Sequence, residues 1–119
     1  MKKSSAIAAL GALAQATRLD IFRLLVQQGP KGLAAGEIGE RLRLPSPTLS
    51  FHLSQLRFAG MVNSRRLSRS IVYSANFTAM NSLLAYLTEN CCGGNDGMCA
   101  PGVCAPSGAQ NGGQRAGER

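Results

Sequence analysis

Cys91, Cys92, Cys99 and Cys104 are the four cysteines of the chain, and they follow its last apolar segment. The residues around them are Gly, Asn, Asp, Pro and Ala, which cannot build a core, so disulfides here would staple no elements together. Clustered thiols in such a stretch read as a soft-ion or redox site. Consecutive Cα atoms sit about 3.8 Å apart, too close for a relaxed disulfide between Cys91 and Cys92. Both sulfurs can still reach one large soft atom. Zn(II) on four cysteines is a rival, but its usual paired C-x-x-C knuckles are absent. Unspecialised tail cysteines are the plain alternative.

A second chemistry lies upstream. Thirteen Lys and Arg oppose six Asp and Glu, for a formal charge of +7. Between Glu40 and Glu89 there is no acid, yet Arg41, Arg43, Arg57, Arg65, Arg66 and Arg69 fall there. Such a stretch attracts phosphate. The segment from Cys91 onward is neutral, so the whole excess belongs to residues 1–90. One histidine, His52, and six carboxylates are a poor supply for acid–base catalysis, and no phosphate loop or nucleotide fingerprint is present. The chain reads as a non-enzyme with no organic cofactor.

The elements that must position these groups follow from periodicity. Ser4 or Ser5 caps a first helix to about Ala14, with Ile7, Leu10 and Leu13 at helical spacing. The start of the chain imitates a signal peptide, but Gly11 and the helical spacing favour a helix, and a cytoplasmic location is expected. Thr17 caps a second helix, with Asp20 at the capping-box position, and Gly29-Pro30 ends it. A short helix covers about Ala34 to Leu42. Ser46 then serves as N-cap, with Pro47 first, for a helix to Ala59 that puts Leu49, Leu53 and Leu56 on one face. Phe51, Ser54 and Phe58 lie opposite. Met61-Val62 and Ile71-Val72-Tyr73 read as two strands joined through residues 65–70. A last helix starts at Asn76 or Thr78, carries Met80, Leu83, Leu84 and Leu87, and ends near Asn90.

This order is a mainly α fold with a two-stranded β wing: α-α-α-α-β-β-α, a winged helix-turn-helix. Its recognition helix needs short polar side chains near the N-terminus, and Ser46, Thr48, Ser50 and Ser54 supply them. Phe51 reads equally as a thymine-methyl contact or a surface aromatic. Arg65, Arg66 and Arg69 suit phosphate or the minor groove. His52, at the edge of the leucine face, reads as structural. Apolar stripes on the first and last helices exceed what three intervening helices cover, which predicts a homodimer.

Leu42 through Tyr73 resembles the helix-turn-helix and wing of the ArsR/SmtB repressors. The segments S-F-H-L-S-Q-L-R-F-A-G-M-V and A-T-R-L-D-I-F-R-L-L carry the likeness most closely, and it covers most of residues 5–90. It implies a dimeric repressor with Ser46, Pro47, Ser50 and Phe51 near DNA. No cysteine precedes Cys91, and the last helix lacks the acid and histidine pairs of zinc and cobalt sensors. The segment E-N-C-C-G-G-N-D-G-M-C is instead similar to the C-terminal site of arsenite-responsive members. That resemblance makes Cys91, Cys92 and Cys99 the As(III) ligands, with Cys104 an extra thiol. Three thiols suit the pyramid of As(III) or Sb(III), with methylated As(III) a further inducer of the class, and the helix dipole, unfavourable to free thiolates here, is relieved by a bound electrophile.

The expectation is therefore an As(III)-responsive repressor that binds double-stranded operator DNA as a dimer, with no membrane partner. Residues 1–90 form the DNA-binding and dimerisation domain, 91–104 the sensing segment and 105–119 a disordered tail. The alternatives are a redox-, persulfide- or zinc-responsive repressor of the same fold, or an architectural DNA-binding protein.

Overall fold

The structure, a computed structural model, describes residues 1–94. Its elements are α1 (Lys3–Leu13), α2 (Ala16–Gln28), β1 (Leu33–Ala34), α3 (Ala35–Leu42), α4 (Ser46–Phe58), β2 (Val62–Leu67), β3 (Ser70–Ala75), α5 (Phe77–Leu87) and a 3-10 turn at Cys91–Gly94. This is a winged helix-turn-helix. Two compact units divide the chain, one spanning Lys2–Met80 and the other beginning at Asn81. The expected tail at 105–119 lies outside the described residues.

In the first unit the core is made by Ile21 and Leu25 of α2, Ile38 of α3, Leu53 and Leu56 of α4, and Met61 and Val62, all fully buried. Deleting a side chain of this kind costs about 2–5 kcal/mol. α1 packs on α2 and α4 and buries Ala6, Ala9 and Ala12. Small side chains at that spacing let the helices approach closely. Ile7 and Leu10 are left outward, 61% and 42% exposed.

Several helix starts differ from the sequence reading. No serine caps α1; its N-cap is Lys2, whose carbonyl accepts from Ala6 N–H at 3.0 Å. Gln15, not Thr17, caps α2, its Oε1 accepting the Arg18 N–H at 2.8 Å. Pro45 rather than Ser46 is the N-cap of α4, because the Pro45 carbonyl accepts the first helical bond, from Leu49 at 2.9 Å. Ser46 and Pro47 are thus the first two helical residues, where proline loses no bond it would otherwise make.

The wing also differs. Residues 65–70 are not a loop: the ladder continues from Val62↔Ala75 to Leu67↔Ser70, closed by a tight turn at Ser68-Arg69 with Ser68 at φ 60°. β1 adds a third strand through Leu33↔Tyr73 and Ala34↔Val72, giving the order β1-β3-β2. The turn before it requires Gly32, at φ 68°, where a Cβ would collide with the Tyr73 carbonyl oxygen. Two residues are too short for a period-2 pattern to reveal, and the backbone approach that fixes them is non-local.

In the second unit, Leu83 of α5 is buried while Leu84 and Leu87 are exposed. The helix stops at Leu87, short of Asn90, and Thr88 donates its hydroxyl to the Leu84 carbonyl at 2.7 Å. Asn76, before α5, accepts the Ala79 N–H at 3.1 Å and so caps it.

Candidate nucleic-acid interface

α3 and α4 meet at a tight corner. Arg43 takes the left-handed conformation, φ 56°, and Leu44 N–H returns to the Gly39 carbonyl at 2.9 Å. This is the helix-ending geometry usually supplied by glycine or asparagine. Gly39 lets the corner close: a Cβ there would lie 3.3 Å from the Leu44 carbonyl oxygen and 3.4 Å from Leu49 Cδ2. With Leu49, Leu53 and Leu56 buried, α4 must turn its other side outward. Ser46, Pro47, Thr48, Ser50 and Phe51 are all exposed, and Ser54 is half-buried. Phe51 is 57% exposed, and the Phe58 ring is almost wholly so. The start of α4 therefore presents hydroxyls and helix N-terminal N–H groups to the surface, and exposed Glu40 of α3 lines the same hollow as Ser46 and Ser50.

The wing carries Arg65 and Arg66 on β2 and Arg69 in its turn, all exposed. They are not equivalent. Arg65 donates from Nη2 to the Lys31 carbonyl at 2.9 Å, which braces the wing against the segment leading into β1. Among the described residues Arg66 and Arg69 make no side-chain hydrogen bond, so their guanidinium donors are available to an anion.

Behind α4 a partly buried set of hydrogen bonds links the helix to α1 and α2. Arg18 of α2 donates from Nε to the Ala12 carbonyl at 2.7 Å and reaches His52 Nδ1 from Nη1 at 3.2 Å. A guanidinium only donates, so Nδ1 accepts and the neutral ring carries its proton on Nε2. Burial first, and the Arg18 charge second, hold the imidazole below its ordinary value of 6.5. The Phe51 ring stands edge-on to it, centroids 5.5 Å apart. His52 is thus structural, as its place beside the leucine face implies. Arg18 was not foreseen: it lies 34 residues from His52, and no local pattern marks the pair.

Of the four cysteines, two fall among the described residues. Cys91 N–H donates to the Thr88 carbonyl at 3.0 Å, and Cys91 is disulfide-bonded. Cys92 is half-buried with φ 60°, in a turn that Asn90 (φ 56°) and Gly93 (φ 58°) share. Cys99 and Cys104 lie outside the described residues, and among the described residues no three His, Cys, Asp or Glu side chains converge as a metal site. No helix among the described residues is long and apolar enough to cross a membrane.

Residues 13–65 match a helix-turn-helix domain family. The chain is 33% identical over 97 residues to the transcriptional activator HlyU of Vibrio cholerae, spanning 80% of this chain and 87% of that one. The chain belongs to the ArsR-type winged helix-turn-helix transcriptional regulators. Among solved structures, an ArsR-like transcriptional regulator from Rhodococcus sp. RHA1 superposes with a TM-score of 0.60 at 26% identity, covering 67% of this chain and 73% of that one. A homodimeric winged helix-turn-helix domain from Mycobacterium bovis, a possible ArsR-family regulator, gives 0.60 at 25% identity over 67% and 72%. The match to HlyU extends beyond the helix-turn-helix to most of the regulator's length.

Proposed function

We propose that this ArsR-type regulator is a repressor that binds a palindromic operator as a homodimer and releases it when trivalent arsenic binds the cysteines at and beyond Cys91. The observation that carries the DNA-binding half is the exposed face of the first two turns of α4, with Ser46, Thr48, Ser50 and Phe51, on the same unit as a wing bearing Arg66 and Arg69. α4 enters the major groove and its hydroxyls meet base edges; the wing arginines meet phosphate. Dimerisation is supported by outward apolar side chains, Ile7 and Leu10 on α1 and Leu84 and Leu87 on α5, and by the homodimeric Mycobacterium bovis relative. Two half-sites about one helical turn apart, or a multiple of it, follow from twofold symmetry.

The inducer reading rests on thiol chemistry and on the likeness of E-N-C-C-G-G-N-D-G-M-C to an arsenite site. Cys91 and Cys92, with Cys99, supply three soft ligands; Sb(III) and methylated As(III) belong to the same class. A hundred-fold loss of DNA affinity requires about 2.7 kcal/mol of coupling, small beside three metalloid–sulfur bonds. A second reading, thiol–disulfide control of the same DNA binding, takes support from the disulfide at Cys91. An oxidised sulfur offers no thiolate, so metalloid loading starts from the reduced chain.

Selection of a preferred duplex from a random pool, followed by release titrations with arsenite, antimonite, methylarsenite and peroxide, tests both halves. A preferred palindrome released by trivalent arsenic from the phosphine-reduced protein is expected. Equal affinity for every duplex makes the protein architectural, and release by peroxide alone transfers control to the disulfide.

A further inference from the structure

A cleft of about 390 Å³ lies between the wing, β1 and α3. Three cationic side chains line it, from three different places in the chain: Lys31 before β1, Arg41 on α3 and Arg65 on β2. All belong to the unit Lys2–Met80. One carboxylate, Glu37, shares the lining, and its Oε1 accepts the Ala34 N–H at 3.1 Å. That bond ties the acid to the start of α3, where the helix dipole already offsets negative charge. Arg65 spends one donor on the Lys31 carbonyl and so holds one wall at a fixed place. Lys31, Arg41 and Arg65 are all exposed, and no side-chain hydrogen bond of Lys31 or Arg41 is present among the described residues. Leu33 and Val72, both buried, give the cleft an apolar floor, which strengthens any ion contact above it.

We propose that this cleft is an oxyanion seat for one phosphate group, held by Lys31, Arg41 and Arg65, with Glu37 setting its affinity. The two sources of such a group are the phosphodiester backbone of bound DNA and a free phosphorylated small molecule. On the first, the seat extends the DNA contact proposed above to two residues outside the recognition helix and wing, and rests on that reading. On the second it is independent of it.

The full-length protein and its Lys31→Gln, Arg41→Gln and Glu37→Gln variants are titrated with a mixed-sequence duplex across a potassium chloride series. In parallel, thermal unfolding is followed with inorganic phosphate and with pyrophosphate. Glutamine at position 37 keeps the oxygen that caps α3, and circular dichroism checks that each variant folds. If DNA supplies the phosphate, Lys31→Gln and Arg41→Gln each flatten the slope of log Kd against log salt by about one unit, and Glu37→Gln tightens binding. If a small molecule supplies it, the slopes hold, while pyrophosphate or phosphate raises the unfolding temperature of the parent protein and not of the two cation variants. Unchanged slopes together with no anion-dependent stabilisation overturn the seat. A parent protein that shows no salt-dependent duplex binding removes the DNA reading itself, and leaves the anion arm to decide the seat.

Discussion

His52 shows how one side chain ties stability to pH. Its folded-state pKa is held below the unfolded value by burial and then by Arg18. The folded ring prefers to be neutral, so the unfolded chain binds more protons as pH falls below about 6.5. The stability His52 contributes is therefore complete above that value and is lost on acidification toward its folded pKa. In His52→Gln the unfolding midpoint, followed by circular dichroism between neutral and mildly acid pH, should decline less steeply than in the parent protein; equal slopes would contradict the assignment. Gly32 is the other residue that stands alone. A Cβ at φ 68° meets the Tyr73 carbonyl oxygen, so Gly32→Ala should cost at least about 1–3 kcal/mol in urea unfolding, whereas alanine at exposed Gly36, inside α3 and with open space beside it, should be neutral or stabilising. The role of His52 was legible from its position beside Leu49, Leu53 and Leu56. Neither Arg18 nor the need for Gly32 was, because both depend on contacts between segments far apart in the chain.

At the scale of elements, the work on DNA is divided in the proposal between α4 and the wing. Ser50→Ala removes an exposed hydroxyl from α4, and it should lower the affinity ratio between preferred and scrambled duplex, by about 1–3 kcal/mol if it contacts a base. Arg66→Gln should weaken both duplexes alike and flatten the salt slope by about one unit. A salt titration on the two duplexes separates these outcomes, and a reversed pattern would exchange the roles. α4 was readable because leucine spacing and Pro45 and Pro47 are local signals. The hairpin was underestimated because its turn, Ser68-Arg69, lacks the Asn-Gly or Asp-Gly signature, while residues 65–70, with Leu67 alone apolar, show no period-2 alternation to mark them as strand. The helix starts were misplaced for a related reason. Serines and threonines are good caps only where the backbone turns, and at α2 that turn falls at Gln15.

For the whole molecule, DNA binding falls in the proposal to an arginine-bearing body with no acid between Glu40 and Glu89, and control of release to the sulfur-bearing segment after α5. The body was legible almost throughout, since charge segregation and periodicity are both written along the chain. The cysteine segment is marked in the sequence by composition and spacing alone, and Cys99 and Cys104 lie outside the described residues. The most direct measurement is release of the preferred duplex, followed by fluorescence anisotropy, as arsenite is added to the phosphine-reduced full-length protein and to its Cys91→Ser and Cys92→Ser variants. The parent protein should let go with a loss of affinity of about a hundred-fold or more, while both variants bind the duplex normally and stay bound. Release of either variant at the parent's arsenite concentration would contradict the account.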